Sequence, residues 1–455
     1  MPIQSKNPTT EEVSKVFNEI SEEELEQKLT TASLAFNSWR KVPLKERANL
    51  MRKLGEYLRS HIEELSTLQM LEMGKTMKSG PGGIEKCAFL CDYYADNIEN
   101  MLAPQVLPTE KKEQYVEFDP LGVVLAVMPW NFPFWQVYRF AVPAIIAGNV
   151  GVLKHASNVP ECAAAIEESF RAAGFPEGVF QNLFLPSSRV EKLIRDPRIV
   201  AVSLTGSEKA GSEVAKVAGQ EIKKVVLELG GSDPFVVFAD ADIATATKFA
   251  VMSRLQGNTG QSCISAKRFI VEESVKEEFT QAVVEEFSKL SVGDPGDKNT
   301  DIGPLATEQI LLEVSKQVES SVALGAKIMC GGKRKEGKGY FYLPTVLTEV
   351  TKGMPVYDEE VFGPVLPIIS FRNEKEVVEI ANDTRYGLGA SIFTSDMEKA
   401  KRLIPNIEAG NVCINDMVKS DPRAPFGGIK KSGYGRELSD YGLREFLNIK
   451  NVSFN

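Results

Sequence analysis

The sequence predicts an α/β protein with a doubly wound parallel sheet, followed by a second α/β domain. From about residue 121 onward, buried strand-like runs alternate with helical segments, an order that places helices on both faces of a parallel sheet. The 455 residues, 43% of them apolar, are enough for two or three domains with large cores. The alternation breaks near Leu229-Gly-Gly-Ser-Asp-Pro and then resumes, which indicates that a second domain begins there.

The region from about Ser21 to Ala103 predicts a layer of helices. Ser21 and Glu24 have the spacing of a capping box, and Pro43 is typical of the first turn of a second helix. The apolar stripe of that second helix consists of Leu50, Met51, Leu54 and Leu58.

Strands and helices of the first sheet then follow in alternation. Its predicted strands are 121–128, 149–154 and 199–204, with one helix running through Phe140 and another beginning at Pro160. The second domain has its own strand candidates at 268–271, 366–371 and 411–414. Ligands of such sheets bind beyond the carboxyl ends of the strands, so the segments after these strands are the candidates for chemistry.

Charge and composition exclude several classes of protein. Lys and Arg total 53 against 62 Asp and Glu, a net charge of −9 without a basic block, which argues against nucleic acid or an anionic membrane as partner. The N-terminus has no apolar signal region, and six scattered cysteines fit reduced thiols, so we expect a cytoplasmic protein. With only His61 and His155, a histidine-rich metal site is excluded and a Ser-His-Asp triad is disfavoured.

Two segments after the predicted strands could hold a dinucleotide. Thr205–Gly211 would place backbone N–H groups and a helix N-terminus where a pyrophosphate binds, although an ordinary glycine turn stays an equal alternative. Lys154 and Ser157 follow another strand without a carboxylate, and a cation beside a small hydroxyl suits the extra phosphate of NADP. The alternative for Lys154 is a solvated lysine at a strand end.

Three further residues could catalyse a reaction without histidine. Asn131 lies between bulky apolar groups and could donate to an oxyanion, or it could be a turn residue. Glu228 lies in an apolar run that would raise its pKa toward that of a general base, and Cys263 follows a glycine turn. Each alone is more simply a core or ion-pair residue, but together they offer a nucleophile and a base.

Five ordered segments resemble the signature motifs of the aldehyde dehydrogenase superfamily over essentially the whole chain. They are Pro129-Trp-Asn-Phe-Pro, Leu227-Glu-Leu-Gly-Gly, Gly260-Gln-Ser-Cys, Glu359-Glu-Val-Phe-Gly-Pro and Pro425-Phe-Gly-Gly-Ile-Lys. Within the superfamily, 134–139, 230–235 and 418–422 are most similar to bacterial succinate-semialdehyde dehydrogenases.

The resemblance implies three structural units. We expect a Rossmann-type cofactor domain (1–103 and 121–231), a catalytic α/β domain (232–432) and a small β oligomerisation element (104–120 and 433–455). A homodimer or homotetramer follows by the same resemblance.

The resemblance also assigns roles to residues. Cys263 would be the nucleophile, Glu228 the base and Asn131 the oxyanion-hole amide together with the Cys263 N–H. The implied cofactor ligands are Trp130, Lys154, Ser157, Gly206, Ser207, Glu208, Leu229, Glu360 and Phe362. No metal is expected. Because Ser157 stands where NAD-preferring members have a ribose-binding glutamate, the sequence predicts NADP as preferred cofactor, with NAD used less well.

The expected substrate residues are Trp135, Arg139, Ser420 and Phe426. Arg139 and Ser420 replace apolar side chains of members that act on neutral aldehydes, so we expect Arg139 to bind a substrate carboxylate. A structural salt bridge of Arg139 with an acidic residue is the alternative. The expected reaction is oxidation of succinate semialdehyde to succinate through a cysteine thiohemiacetal and thioester. The alternatives are a dehydrogenase of broad aliphatic or aromatic specificity, a CoA-acylating variant, which Glu228 disfavours, and a binding protein that has lost activity.

Overall fold

Four β-sheets and fifteen α-helices make up the part of the chain that the structure, a computed structural model, describes, residues 3–255 and 257–455. Within those residues, no helix has both the length and the apolar character needed to cross a membrane. Two of the sheets are largely parallel, as the strand and helix alternation predicted, so the α/β fold class is confirmed.

The N-terminal region begins with a hairpin that the sequence did not reveal. Its strands are β1 (Ile3–Lys6) and β2 (Val13–Phe17), and β2 is almost wholly exposed, so it has no alternating apolar pattern to detect. The predicted helical layer follows as α1 (Glu22–Trp39), α2 (Leu44–Ser60), α3 (Ile62–Met73) and α4 (Gly80–Met101). The Ser21 capping box is present, with both reciprocal hydrogen bonds formed.

The first parallel sheet has six strands. In sequence they are β5 (Val123–Met128), β6 (Val150–His155), β7 (Phe180–Asn182), β8 (Ile199–Thr205), β9 (Lys224–Glu228) and β17 (Gly433–Tyr434). Their spatial order is β17-β9-β8-β5-β6-β7, and only β17 runs antiparallel to its neighbour. The associated helices are α5 (Pro133–Ile146), α6 (Pro160–Ala172), α7 (Val190–Arg195) and α8 (Glu208–Gln220).

The second sheet has seven strands. They are β10 (Asp233–Val237), β11 (Ala266–Glu272), β12 (Lys327–Cys330), β13 (Thr345–Thr348), β14 (Val365–Phe371), β15 (Gly389–Phe393) and β16 (Asn411–Ile414). Their spatial order is β12-β13-β14-β11-β10-β15-β16, with β12 the antiparallel edge. The helices of this part are α9 (Ile243–Leu255), α10 (Lys276–Ser288), α11 (Glu308–Ala323), α12 (Pro355–Asp358), α13 (Glu374–Asn382) and α14 (Met397–Leu403).

A small antiparallel sheet joins distant parts of the chain. It consists of β3 (Gln105–Val106), β4 (Glu113–Pro120) and β18 (Leu447–Phe454), in the order β18-β4-β3, and α15 (Ser439–Arg444) leads into β18. Strand β18 pairs with β4 along its whole length, from Leu447 opposite Pro120 to Phe454 opposite Glu113. The predicted domain boundaries stay a prediction. Strand β17 (Gly433–Tyr434) belongs to the predicted oligomerisation element but pairs with β9 of the first parallel sheet.

Candidate active site

The turn before Cys263 has a backbone that glycine makes possible. Thr259 and Gly260 have φ angles of 53° and 75°, and a Cβ at Gly260 would clash with the carbonyl oxygen of Gly363. The side chain of Gln261 is fully buried and accepts a hydrogen bond of 2.9 Å from the Ala306 N–H. The turn therefore has a fixed shape, and the cysteine that follows it has a defined position.

Asn131 lies directly against this turn. Its Nδ2 donates to the Gln261 carbonyl oxygen at 3.1 Å, and Asn258 Nδ2 donates to the Asn131 carbonyl at 2.6 Å. A side-chain amide has two N–H groups, so one is available for a developing oxyanion. The structure thus brings Asn131 and the Cys263 turn together, as their proposed shared role requires.

Glu228 ends β9 and is almost completely buried, with 1% of its surface exposed. Neither carboxylate oxygen has a hydrogen-bond partner among the described residues. Burial raises the pKa of Glu228 well above its usual value, the nearby Glu437 raises it further, and Arg139 and Arg436 oppose the shift. A carboxylate whose pKa is raised in this way accepts a proton more readily than an exposed glutamate does.

The Cys263 thiol is also hard to ionise in this environment. Burial raises its pKa to about 12, while the cationic Arg139 and Lys267 act in the opposite direction. A nucleophilic thiolate at Cys263, as the sequence predicts, would therefore require a proton acceptor. His155, at the end of β6, is no candidate for this acceptor, because its ring nitrogens contact the Pro133 carbonyl and the Ala156 N–H. Burial also lowers the pKa of His155 to about 4.

Arg139 has a carboxylate partner within the protein. Its guanidinium forms a buried ion pair with Glu437, donates to Thr205 Oγ1 at 3.3 Å and lies 4.8 Å from the ring centroid of Phe426. The salt-bridge alternative left open by the sequence is therefore present in the structure. That Arg139 also binds a substrate carboxylate stays a prediction.

A second cation, which the sequence analysis missed, lies beside two of the expected substrate residues. Lys86 Nζ on α4 donates to Ser420 Oγ at 2.7 Å and lies 4.0 Å from the ring centroid of Trp135. Lys86 and Ser420 are separated by 334 positions, and no local pattern in the sequence relates them.

The cofactor candidates at the end of β6 are a cation and hydroxyl groups. Lys154 is 5% exposed, and its Nζ donates to Ser187 Oγ at 3.3 Å. Burial lowers the pKa of Lys154 to about 8, and no neighbouring carboxylate contributes to the shift. The half-buried Ser157 follows the same strand, and its carbonyl accepts a hydrogen bond of 3.0 Å from the Gln4 N–H of the N-terminal hairpin. This donor set fits a phosphorylated ribose.

The glycine turn after β8 differs in one respect from the expectation. The N–H of Gly206 donates to the Glu228 carbonyl at 3.0 Å, so it is not a free donor for a pyrophosphate. Ser207 caps α8 by accepting from Ala210 N at 3.3 Å, and the half-buried Glu208 pairs with Arg385 at 3.3 Å. Any pyrophosphate would have to meet the helix terminus beyond Gly206.

Glu360 and the Cys263 loop are connected through a buried lysine that the sequence analysis also missed. Lys267 Nζ donates to the carbonyls of Ser262 (2.9 Å), Cys263 (2.8 Å) and Ser265 (3.2 Å) and lies 3.3 Å from Glu360 Oε1. Lys267 lies inside β11, four residues after Cys263, and this position is the sequence signal that could have identified it.

Several other candidates pack around this junction. The Gly231 N–H donates to Glu360 Oε1 at 3.1 Å, and Leu229 contacts Gly211 of α8. The half-buried rings of Trp130 and Phe362 meet edge to face, with centroids 5.8 Å apart. Motifs far apart in the sequence are thus neighbours here. Among the described residues there is no group of three or more His, Cys, Asp or Glu side chains able to hold a metal, and the expected absence of a metal stays a prediction.

Known proteins resemble this chain in sequence and in structure over nearly its whole length. A sequence model described as "Aldehyde dehydrogenase family" matches residues 1–452. The chain is 50% identical over 452 residues to a probable succinate-semialdehyde dehydrogenase [NADP(+)] of Synechocystis sp., covering 99% of both chains. It is 49% identical over 455 residues to succinate-semialdehyde dehydrogenase [NADP(+)] 1 of Mycobacterium tuberculosis, again covering 99% of each. The solved structure of succinic semialdehyde dehydrogenase from Streptococcus pyogenes with NADP+ is 39% identical, with a TM-score of 0.97 and 99% of both chains covered.

Proposed function

The chain belongs to the aldehyde dehydrogenase family, and on that premise we propose that it oxidises succinate semialdehyde to succinate with NADP as cofactor. The observation that carries the proposal is the contact of Asn131 with the Cys263 turn. Glu228 interacts electrostatically with Cys263, and its buried carboxylate has no hydrogen-bond partner among the residues that the structure describes. The relatives at about half identity over the full length support the choice of substrate and cofactor.

The first step is attack by the sulfur of Cys263 on the aldehyde carbon. The thiol loses its proton to solvent, the sulfur bonds to the carbonyl carbon, and the carbonyl oxygen becomes an alkoxide. The free N–H of Asn131 and the backbone N–H of Cys263 stabilise this alkoxide, and such a donor contributes about 3 to 4 kcal/mol in oxyanion holes. When bound, the nicotinamide would accept the hydride that leaves the former aldehyde carbon as the alkoxide re-forms a C=O bond, and a thioester on Cys263 would remain.

The second step is hydrolysis of the thioester on Cys263. Glu228 removes a proton from a water molecule, which attacks the thioester carbon, and the sulfur leaves as thiolate. Burial raises the pKa of Glu228, so the carboxylate holds the proton more strongly than an exposed glutamate would. The product is a carboxylate, with no need for CoA or a metal.

The residues around β6 fit a cofactor that has a 2′-phosphate. Lys154 and the hydroxyls of Ser157 and Ser187 would hold that phosphate, whereas a carboxylate at the same place would repel it. On the nicotinamide side, Glu360 would hold the ribose, with its carboxylate oriented by Lys267 and the Gly231 N–H. Trp130, Ser207, Glu208, Leu229 and Phe362 complete the proposed cofactor contacts.

The test is the absorbance of reduced nicotinamide formed by the purified protein. Succinate semialdehyde and short neutral aldehydes are each supplied with NADP and with NAD, and kcat/KM is compared. We expect the highest value for succinate semialdehyde with NADP. A higher value with NAD would contradict the cofactor, and a higher value with neutral aldehydes would favour broad specificity.

We also propose a cytoplasmic homo-oligomer. The six cysteines are all unpaired in the described structure, as a reducing compartment would require. The edges of the β18-β4-β3 sheet are the candidate contacts between subunits.

A further inference from the structure

The surroundings of Lys86 are suited to binding an anion. It is half-buried on α4, with its ammonium held between the hydroxyl of Ser420 and the face of the Trp135 ring. The aliphatic stem and the indole form apolar surroundings, while the ammonium and hydroxyl give two adjacent donors. Such a pair matches the two oxygens of a carboxylate.

The charge of Lys86 is not neutralised by an ion pair with any residue that the structure describes. Arg139, another cation near Lys86, already pairs with Glu437. The ammonium of Lys86 is thus available to pair with a substrate anion. At Arg139, such an anion would compete with the carboxylate of Glu437. A cation in apolar surroundings gains most from a counter-ion where water is excluded.

Resting on the proposed function, we propose that Lys86 determines specificity by binding the carboxylate of succinate semialdehyde, together with the Ser420 hydroxyl. Trp135, which holds the ammonium by a cation–π contact, would also pack beside the short aliphatic chain of the substrate. Lys86 touches no reacting atom in this arrangement, so its effect should fall mainly on KM for the charged aldehyde.

The electrostatics of Lys86 agree with this role. Burial lowers its pKa to about 8, and Arg139 lowers it further, while Cys87 and Asp421 act in the opposite direction. Lys75 is a further cation that interacts with Lys86. A lysine is charged below its pKa, so the ammonium is present at neutral pH and is lost as the pH rises through about 8.

The experiment compares succinate semialdehyde with isocaproaldehyde, in which an isopropyl group replaces the carboxylate. Both are assayed with the wild-type enzyme and with Lys86→Met, Lys86→Arg and Lys75→Met. Lys75 is the matched control, because burial likewise lowers its pKa to about 8, but its Nζ contacts the Gly257 carbonyl and the Phe132 ring.

We expect Lys86→Met to lower the kcat/KM ratio of charged to neutral aldehyde by roughly 10- to 150-fold, mainly through KM, the range for a hydrogen bond to a charged group. Lys86→Arg should keep most of the ratio. Lys75→Met, which removes a neighbouring charge but no donor of the Lys86–Ser420 pair, should change the ratio far less than Lys86→Met does. In the wild type, the ratio should also fall as the pH rises through about 8. Taking the ratio cancels the ionisation of Cys263 and Glu228, which both aldehydes share.

The outcomes separate this inference from the proposed function. A wild-type preference for succinate semialdehyde that survives in Lys86→Met would overturn the role of Lys86 and leave the proposed function standing. A wild-type enzyme without that preference would overturn both. If the methionine variant does not fold, as circular dichroism would reveal, the arginine variant and the wild-type pH profile decide. The arginine variant should give a ratio that does not change with pH, because a guanidinium keeps its charge. A ratio that is also pH-independent in the wild type would then contradict the inference.

Discussion

Glu228, Glu437 and Arg139 form one electrostatic unit beside Cys263. Burial raises the pKa of both carboxyl groups, and the guanidinium of Arg139 opposes the shift in each. Arg139 also acts against the raised pKa of Cys263. A single cation thus influences the proposed nucleophile, the proposed base and the second carboxylate, so we expect Arg139 to have a role independent of the substrate.

The base role of Glu228 predicts a separation of the two chemical steps. Glu228→Gln keeps the shape of the side chain but cannot accept a proton, so we expect steady-state turnover to fall by about 10²- to 10⁴-fold. NADPH formation in the first turnover should be affected less, leaving a burst in stopped-flow absorbance. Cys263→Ala is the control and should show no burst, while a Glu228→Gln variant with wild-type turnover would contradict the assignment.

The Arg139 ion pair predicts a general loss of activity instead of a loss of specificity. Arg139→Met would leave Glu437 buried and unpaired, a change that costs about 3 to 5 kcal/mol in comparable cases. We expect a lower thermal midpoint and a lower kcat with charged and neutral aldehydes alike. The control is Arg139→Met with Glu437→Gln, which should recover part of the stability. A rise in KM for succinate semialdehyde alone would support instead the sequence-based expectation that Arg139 binds its carboxylate.

At the scale of elements, the turn before the nucleophile depends on Gly260. Gly260→Ala would place a Cβ against the Gly363 carbonyl at a φ of 75°. Backbone strain of that kind alone costs about 1 to 3 kcal/mol, so we expect a lower thermal midpoint and a displaced Cys263 with reduced kcat. Gly219→Ala on α8 is the control, since a Cβ added at Gly219 would meet no described heavy atom within 4 Å outside the backbone of its own helix. Wild-type kcat and stability in Gly260→Ala would contradict the argument.

The sequence predicted elements where burial imposes a pattern. The strands around Val123–Met128 and Val150–His155 are buried continuously and were found, as was the helix that begins after Ser21. The hairpin partner Val13–Phe17 was missed because it is exposed. Strand Gly389–Phe393 was also missed, although it is fully buried, because its small residues Gly389 and Ala390 give a weak strand signal.

At the scale of the whole molecule, the site combines residues that are hundreds of positions apart. The motifs around Asn131, Glu228 and Cys263 were identifiable in the sequence, and the structure brings Asn131 and the Cys263 turn into contact. The pairings of Arg139 with Glu437 and of Lys86 with Ser420 could not be foreseen, because they depend on how separate elements pack. The sequence thus indicated the candidate catalytic residues. The partners of the charged groups around the expected substrate residues could be identified only from the fold.

The exposed edge of the small sheet makes a prediction about assembly. An eight-residue edge strand, β18, leaves backbone N–H and C=O groups unpaired on one side, and its Ile449 is 59% exposed. The segment resembles the strand with which the family pairs subunits, so we expect Ile449→Glu to weaken the oligomer, measured as molar mass by light scattering. Leu312→Glu is the matched control, because Leu312 is 60% exposed but belongs to the helix α11 and not to a strand. A monomeric wild type, or equal masses for the wild type and Ile449→Glu, would refute an interface at β18.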